Sequence, residues 1–316
     1  MKTTFPEKAK KFFTSWEFVL LLILFAEIVI FATKNPKFLM PRVLFGSLND
    51  IISICIISLF VTFVMITGGI DIQAGSIVGL SSIVLGVAWQ DGGMNIWAAV
   101  ALAVVVAGVC GALSGYFVAY CGVQPMVVTL GGSFLFTGVA LLVSNLSATE
   151  SYKGISGFPD SFLQLSKFKL FGVIPCQVII FLVLAVIAYV LLNKTKYGRM
   201  VFLIGVNKDA AEFSGINTRL ITMTTYILSG ISAAIAGIIL TSYIGTAKSD
   251  IGVTFTLPII TAVVLGGTLS TGGKGSVVGT ALAAVVIGVL KFGLPLCFKV
   301  PQQYLDIRLA CFFWWS

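Results

Sequence analysis

Between residues 92 and 149 the chain carries neither an acid nor a base. A segment so apolar is at home in hydrocarbon, where every backbone N–H and C=O must find a partner inside the protein, so it folds as helix. A spanning helix takes about 20 apolar residues. The run therefore holds two, divided where Gly122 and Pro125 interrupt it. Other uncharged runs fill 51–70, 72–90, 170–193, 220–247, 251–273 and 275–290. With 58% hydrophobic and 10% charged residues, the chain is an integral membrane protein.

The pattern predicts helices near 18–33, 47–67, 73–89, 95–120, 124–146, 173–193, 220–244, 257–269 and 275–294. That is an all-α, polytopic transmembrane helical bundle of about nine spans, a single domain over 1–316. The first run lacks a small-residue cleavage site after it and reads as a retained anchor. Cys55, Cys110, Cys121, Cys176, Cys297 and Cys311 form no C-x-x-C pair and read as packing residues.

The net charge of +8 does not point to nucleic acid, because the basic residues flank apolar runs instead of interleaving with aromatics on a polar surface. They set topology. Lys2, Lys8, Lys10 and Lys11 place segment 1–15 in the cytoplasm by the positive-inside rule. Counting spans from there puts loop 194–219, with Lys194, Lys196, Arg199, Lys208 and Arg219, on the same side, and loop 147–172 outside. Lys34, Lys37 and Arg42 run against the rule, falling on the outer side.

Two segments echo each other. Gly68-Gly69-Ile-Asp71-Ile-Gln-Ala-Gly75-Ser76 recurs in pattern as Gly266-Gly267, a polar link with Gly272, Gly273 and Lys274, then Gly275-Ser276. Paired glycine-broken helices in two halves mark transporters built from internal repeats, with unwound backbone lining a cavity. Such glycines can also be packing kinks. Gly108, Gly111 and Gly115 in the fourth span permit close helix packing, inside the chain or at a dimer seam.

The chain has no histidine, which removes histidine-based triads, zinc sites and proton relays. Glu27 is the acid set within an apolar run, a functional candidate by default because of the cost of burying charge, unless it snorkels to the outer edge. Asp71 reads as fixing its own loop by accepting backbone N–H bonds. No metal site is expected. Gln124, Thr129, Ser133 and Asn145 offer partners to a hydroxylated ligand, although polar side chains in membranes also bond neighbouring helices. The stretch 267–275 imitates a phosphate-binding loop but fails it: Thr268 stands where the first glycine belongs, and Gly275 where a hydroxyl should hold magnesium.

A chain without an ATP site still carries a compact polar helix on its cytoplasmic side. In 205–216, Asn207 can cap a helix with Asp209 in its first turn, and Gly215 can take the left-handed conformation that stops it. Gly205, Ala210, Ala211 and Ile216 complete the segment, and the two alanines leave room for another backbone. It is either a tie between two spans or a handle for a partner.

These pieces resemble the permease family of bacterial ABC sugar importers of the ribose and autoinducer-2 class. The likeness rests on Gly68 to Ser76, Gly205 to Ile216 and Val264 to Ser276, in that order along the chain. It implies a transport subunit of the inner membrane, not an enzyme itself. It further implies a second permease subunit, two cytoplasmic ATPase subunits that bind the ATP and magnesium, and a periplasmic sugar-binding protein. Residues 205–216 would be the coupling helix. The family usually has about ten spans, whereas 307–316 is too short to cross a bilayer needing about 20 residues; a truncated or frameshifted tail is expected there, or an aromatic tail at the interface. An ion-coupled carrier using Glu27 and an intramembrane enzyme using Asp71 are the readings from other classes.

Overall fold

The computed structural model describes residues 16–149, 153–170 and 174–298. Segment 1–15, expected in the cytoplasm, and the tail 307–316 lie outside the described residues, as does part of loop 147–172.

Helix α1 (Trp16–Lys34) carries Glu17 in its first turn and Lys34 in its last, charges that suit the helix dipole. Asn35 caps a short 3-10 turn (Pro36–Leu39) by accepting the Lys37 N–H at 3.1 Å. Proline at the first turn, where its missing N–H costs nothing, opens α2 (Pro41–Ile66). After the break at 67–73 come α3 (Ala74–Gln90), α4 (Ile96–Ala119), capped by Asn95, and α5 (Pro125–Ser144), again opened by proline.

Loop 147–172 is more than a connector. It contains strand β1 (Ile155–Ser156) and the amphipathic α6 (Asp160–Lys167), which the sequence reading treats as loop. Strand β2 (Lys169–Leu170) then pairs with β3 (Ile174–Pro175). Two side chains spaced one turn apart bury α6: Phe162, and Ser166, whose hydroxyl meets that of Ser242 at 2.8 Å. The helix was not legible because only eight residues carry it and Gly157 and Pro159 precede it.

Next follow α7 (Cys176–Lys194), α8 (Lys196–Val206), α9 (Lys208–Phe213) and α10 (Thr218–Ile244). Gly245, at φ 74°, stops α10, and strand β4 (Thr246–Ala247) pairs antiparallel with β1. The chain ends its described course in α11 (Thr256–Leu265) and α12 (Val277–Phe298).

Helix α10 is the axis of the bundle, packed against α2, α3 and α4. Of its most apolar stretch 67% of residues are buried, against 11% for α1. Glycine permits the closest approach: a Cβ on Gly111 of α4 would meet the Tyr226 carbonyl, and one on Gly230 of α10 the Ala107 carbonyl. The small-residue stripe on α4 thus packs internally at Gly111 and Gly115, the latter against Met223. Outer helices turn large apolar groups outward, among them Phe25, Phe134 and Leu142. In a soluble protein such a surface would aggregate; here it is what a bilayer or a membrane partner covers.

The helical membrane bundle is as read, but the span count differs. Six helices among the described residues are long and apolar enough to cross: α1, α4, α5, α7, α10 and α12. Ala74–Gln90 and Thr256–Leu265 are shorter. Helix α11, at ten residues, rises only about 15 Å. Its approach is made by non-helical chain: segment 248–255 runs along α3, with the Ser249 carbonyl against Gly79 and the Gly252 carbonyl against Gly75. The glycine breaks divert backbone from helix, which leaves α3 and α11 short while α2 and α12 on their other sides stay long.

Candidate coupling site: a short capped helix beside two glycine breaks

Helix α9 forms as its residues dictate. Asn207 Oδ1 accepts the Ala210 N–H at 3.0 Å, and Asp209 sits in the first turn. At the other end Gly215 adopts φ 80°, while the Ile216 N–H reaches back to the Ala211 carbonyl at 3.1 Å. The two alanines part company. Ala211 is buried against the rest of the chain, so only Ala210 is open to an approaching backbone.

Gly205, read from sequence as part of this helix, belongs to the end of α8 instead. A Cβ there would meet the Ile66 carbonyl and the Gly273 amide. Those two groups are bonded to each other: the Gly273 N–H donates to the Ile66 carbonyl at 2.9 Å. Ile66 ends α2 at the first break, and Gly273 lies in the second. The end of α8, just before α9, therefore rests on the point where both breaks touch.

The first break is stitched to four helices. Asp71 accepts the Gln73 N–H at 3.1 Å through Oδ1 and the Ser229 hydroxyl at 2.6 Å through Oδ2. Thr129 donates to the Ile70 carbonyl at 3.0 Å and Thr256 to the Ile72 carbonyl at 3.2 Å. Ser114 donates to Gln73 Oε1 at 2.6 Å. An unwound segment in an apolar surrounding must have its carbonyls satisfied from neighbouring helices, and these hydroxyls do it. Next to the break, Ser76 shares hydroxyl contacts with Ser133 at 2.9 Å and Thr137 at 3.0 Å. Thr129 and Ser133, candidates for ligand contact by sequence, thus bond neighbouring segments. Gln124 and Asn145 flank α5 at its two ends.

The second break is held from the amino terminus. The Trp16 indole N–H donates to the Leu265 carbonyl at 2.6 Å, and the ring lies against Gly267, whose φ is 87°. Ser276 donates to Glu17 Oε1 at 3.1 Å and caps α12 by accepting the Gly279 N–H at 3.1 Å. Gly272 and Gly273 both take positive φ, 88° and 79°.

The sequence echo does not carry over residue for residue. Gly75 and Ser76 lie inside the first turn of α3, whereas Gly275 and Ser276 precede α12. Left-handed backbone falls on Gly68 of the first Gly-Gly pair but on Gly267 of the second; Gly69 and Gly266 are not left-handed. The Ser276 cap fixes where α12 starts. No side chain caps α3.

Glu27 stands apart. It shares the buried face of α1 with Leu20 and Phe31, and α1 packs on α12. Ten residues separate it from Glu17, about 15 Å along the helix. Its Oε2 is buried without a hydrogen-bond partner among the described residues. Three His, Cys, Asp or Glu side chains that could share a metal ion are not found together there either. The sequence reading assigns no role to Trp16, Glu17, Gln73, Ser114 or Thr256. Their only signal was a polar or aromatic group at the edge of an apolar run.

Comparison with known proteins identifies the family. The family described as "Branched-chain amino acid transport system / permease component" matches residues 43–307. The protein of Photorhabdus laumondii named Autoinducer 2 import system permease protein LsrD is 42% identical over 288 residues, covering 91% of this chain and 86% of the relative. Its namesakes in Salmonella paratyphi A and Yersinia pseudotuberculosis are also 42% identical, over 92% and 88% of this chain and 86% and 83% of their own lengths. No solved structure matches. A likeness that runs through both glycine breaks and the loop between α7 and α10 places the chain in that permease-component family.

Proposed function

We propose that the chain is the membrane-spanning permease subunit of an ABC importer of the bacterial inner membrane, moving a small sugar-like ligand, autoinducer-2, into the cell. The single observation that carries this reading is the seat of the end of α8, which leads directly into α9: Gly205 abuts both Ile66 and Gly273. A displacement of α9 would therefore reach the two broken segments together. The autoinducer-2 assignment is taken from the relatives named above.

In this reading the chain does no hydrolysis. Two cytoplasmic ATPase subunits bind ATP and magnesium, and closing them pushes the docked α9. A second permease subunit completes the path, and a periplasmic binding protein delivers the ligand. The breaks pivot: Gly68, Gly267, Gly272 and Gly273 already occupy left-handed backbone that only glycine tolerates well. Hydroxyls at 129 and 256 keep the unwound carbonyls of Ile70 and Ile72 paired, that of 229 pairs Asp71, and those of 76, 133 and 137 bond one another beside the break.

The test is uptake into proteoliposomes holding the complete assembly, loaded with ATP and supplied with autoinducer-2 on its binding protein. ATP-dependent accumulation is expected. Accumulation driven by a proton or sodium gradient with the ATPase omitted would overturn the reading. Autoinducer-2 uptake abolished by excess ribose would shift the ligand to a pentose.

A further inference from the structure

Phe213 is 94% exposed, more than any other large apolar side chain among the described residues. It ends α9, and Asp209 lies four residues before it, so the two share one face of the helix, with Glu212 beside them. The three line a cleft of about 470 Å³. The ring is not on a loose loop. Asn207 fixes one end of the helix, the turn at Gly215 the other, and Ala211 is buried beneath it.

Lipid does not suit this face. The cytoplasmic leaflet carries negative charge, and two carboxylates flank the ring. Of the loop's basic groups, Lys194, Lys196 and Arg199 sit at the junction of α7 and α8 and Arg219 starts α10, while Lys208 opens α9 five residues before Phe213, at the end of the helix away from the ring. An exposed aromatic ring beside two acids, carried on a helix whose backbone is held at both ends, instead fits a protein socket with an apolar floor and a basic rim. Aromatic side chains that become buried on binding are those on which interfaces concentrate their affinity, and a backbone already ordered lowers the cost of burying them.

We propose that Phe213 is the anchor by which the ATPase subunit is held, seating in an apolar pocket of that subunit whose basic rim faces Asp209 and Glu212. This rests on the importer reading above and adds to it the chemistry of the contact. Gly205 and the breaks transmit; Phe213 grips.

The experiment titrates the full chain, in lipid nanodiscs, with the ATPase subunit of its own importer. Phe213→Ala is expected to weaken binding by about thirtyfold, the size of a hot-spot loss, while Phe213→Leu recovers part of it. Charge reversal at Asp209→Lys with Glu212→Lys is expected to weaken binding about tenfold at low salt and much less at high salt. Because Phe213 is almost fully exposed, unchanged thermal unfolding of Phe213→Ala accompanies the loss. If wild type binds the ATPase and Phe213→Ala binds equally well, the anchor falls and the importer reading stands. Should wild type bind no ATPase, both fall. A Phe213→Trp variant separates lipid from protein: added ATPase should shift its emission to the blue, and quenching by brominated anionic lipid before ATPase is added would overturn the proposal.

Discussion

The amide of Gly273 donates to the carbonyl of Ile66 at 2.9 Å, tying two glycine breaks that stand more than 200 residues apart in the chain. The contact joins the end of α2 to the link before α12, and Gly205 is pressed against both partners.

Gly205→Ala is the direct probe of that junction. The added Cβ has no room beside the Ile66 carbonyl, and both obstacles are backbone, which cannot rotate away. A cost of about 1–3 kcal/mol is expected from overpacking, together with loss of transport. Gly215→Ala serves as contrast: its φ is 80° but the space around it is open, so only the left-handed backbone penalty of about 1–2 kcal/mol applies. Thermal unfolding in detergent and ATP-driven uptake, measured side by side, check both; uptake by Gly205→Ala at the wild-type rate would refute the junction's role.

Tyr226 and Ser229 face the first break with opposite consequences. The Tyr226 hydroxyl is fully buried against Gly69 and has no hydrogen-bond partner among the described residues. Tyr226→Phe should therefore leave stability unchanged or raise it by about 1 kcal/mol, since only the burial of a polar group is lost. Ser229→Ala strips Asp71 Oδ2 of its donor and should cost about 1–3 kcal/mol. Paired unfolding curves decide, and a large loss in Tyr226→Phe would contradict the geometry.

Trp16→Phe keeps a ring against Gly267 but removes the donor to the Leu265 carbonyl. A loss of about 0.5–1.5 kcal/mol is expected for one hydrogen bond. Its location is more informative than its size: hydrogen exchange should quicken over 265–276 while α3 stays protected. Uniform acceleration along the chain would mean that Trp16 merely supports global stability.

Thr129→Val and Thr256→Val each free one carbonyl of the unwound segment, at Ile70 and Ile72. Hydrogen bonds of this kind in membranes contribute roughly 0.6 kcal/mol on average. Because the two carbonyls lie in one short segment, the double variant should lose more than the sum of the singles. Strict additivity in a double-mutant cycle would show that the segment does not respond as a unit.

Much of the architecture was legible in the chain because hydropathy and capping are local. The nine predicted apolar helices all form, with boundaries shifted by a few residues, and Asn207 and Gly215 end α9 as their side chain and backbone preferences require. Helix α8 escaped notice: its buried Val201 and Ile204 alternate with exposed Leu203 and Val206 in a segment that also carries Lys196 and Arg199. Nor could spacing tell Ala210 from Ala211. Which of two adjacent alanines faces inward depends on what packs beneath the helix.

The sequence by itself determined that this is a helical membrane protein, where its chain breaks, and which glycines can turn left-handed, since all three follow from transfer energies and φ preferences of single residues. Only the tertiary structure decided that the breaks meet at Ile66 and Gly273, that Gly205 rests on them, that Trp16 and Glu17 hold the second break, and that Phe213 points outward. Those relations are contacts between residues far apart in sequence, and no local preference encodes them.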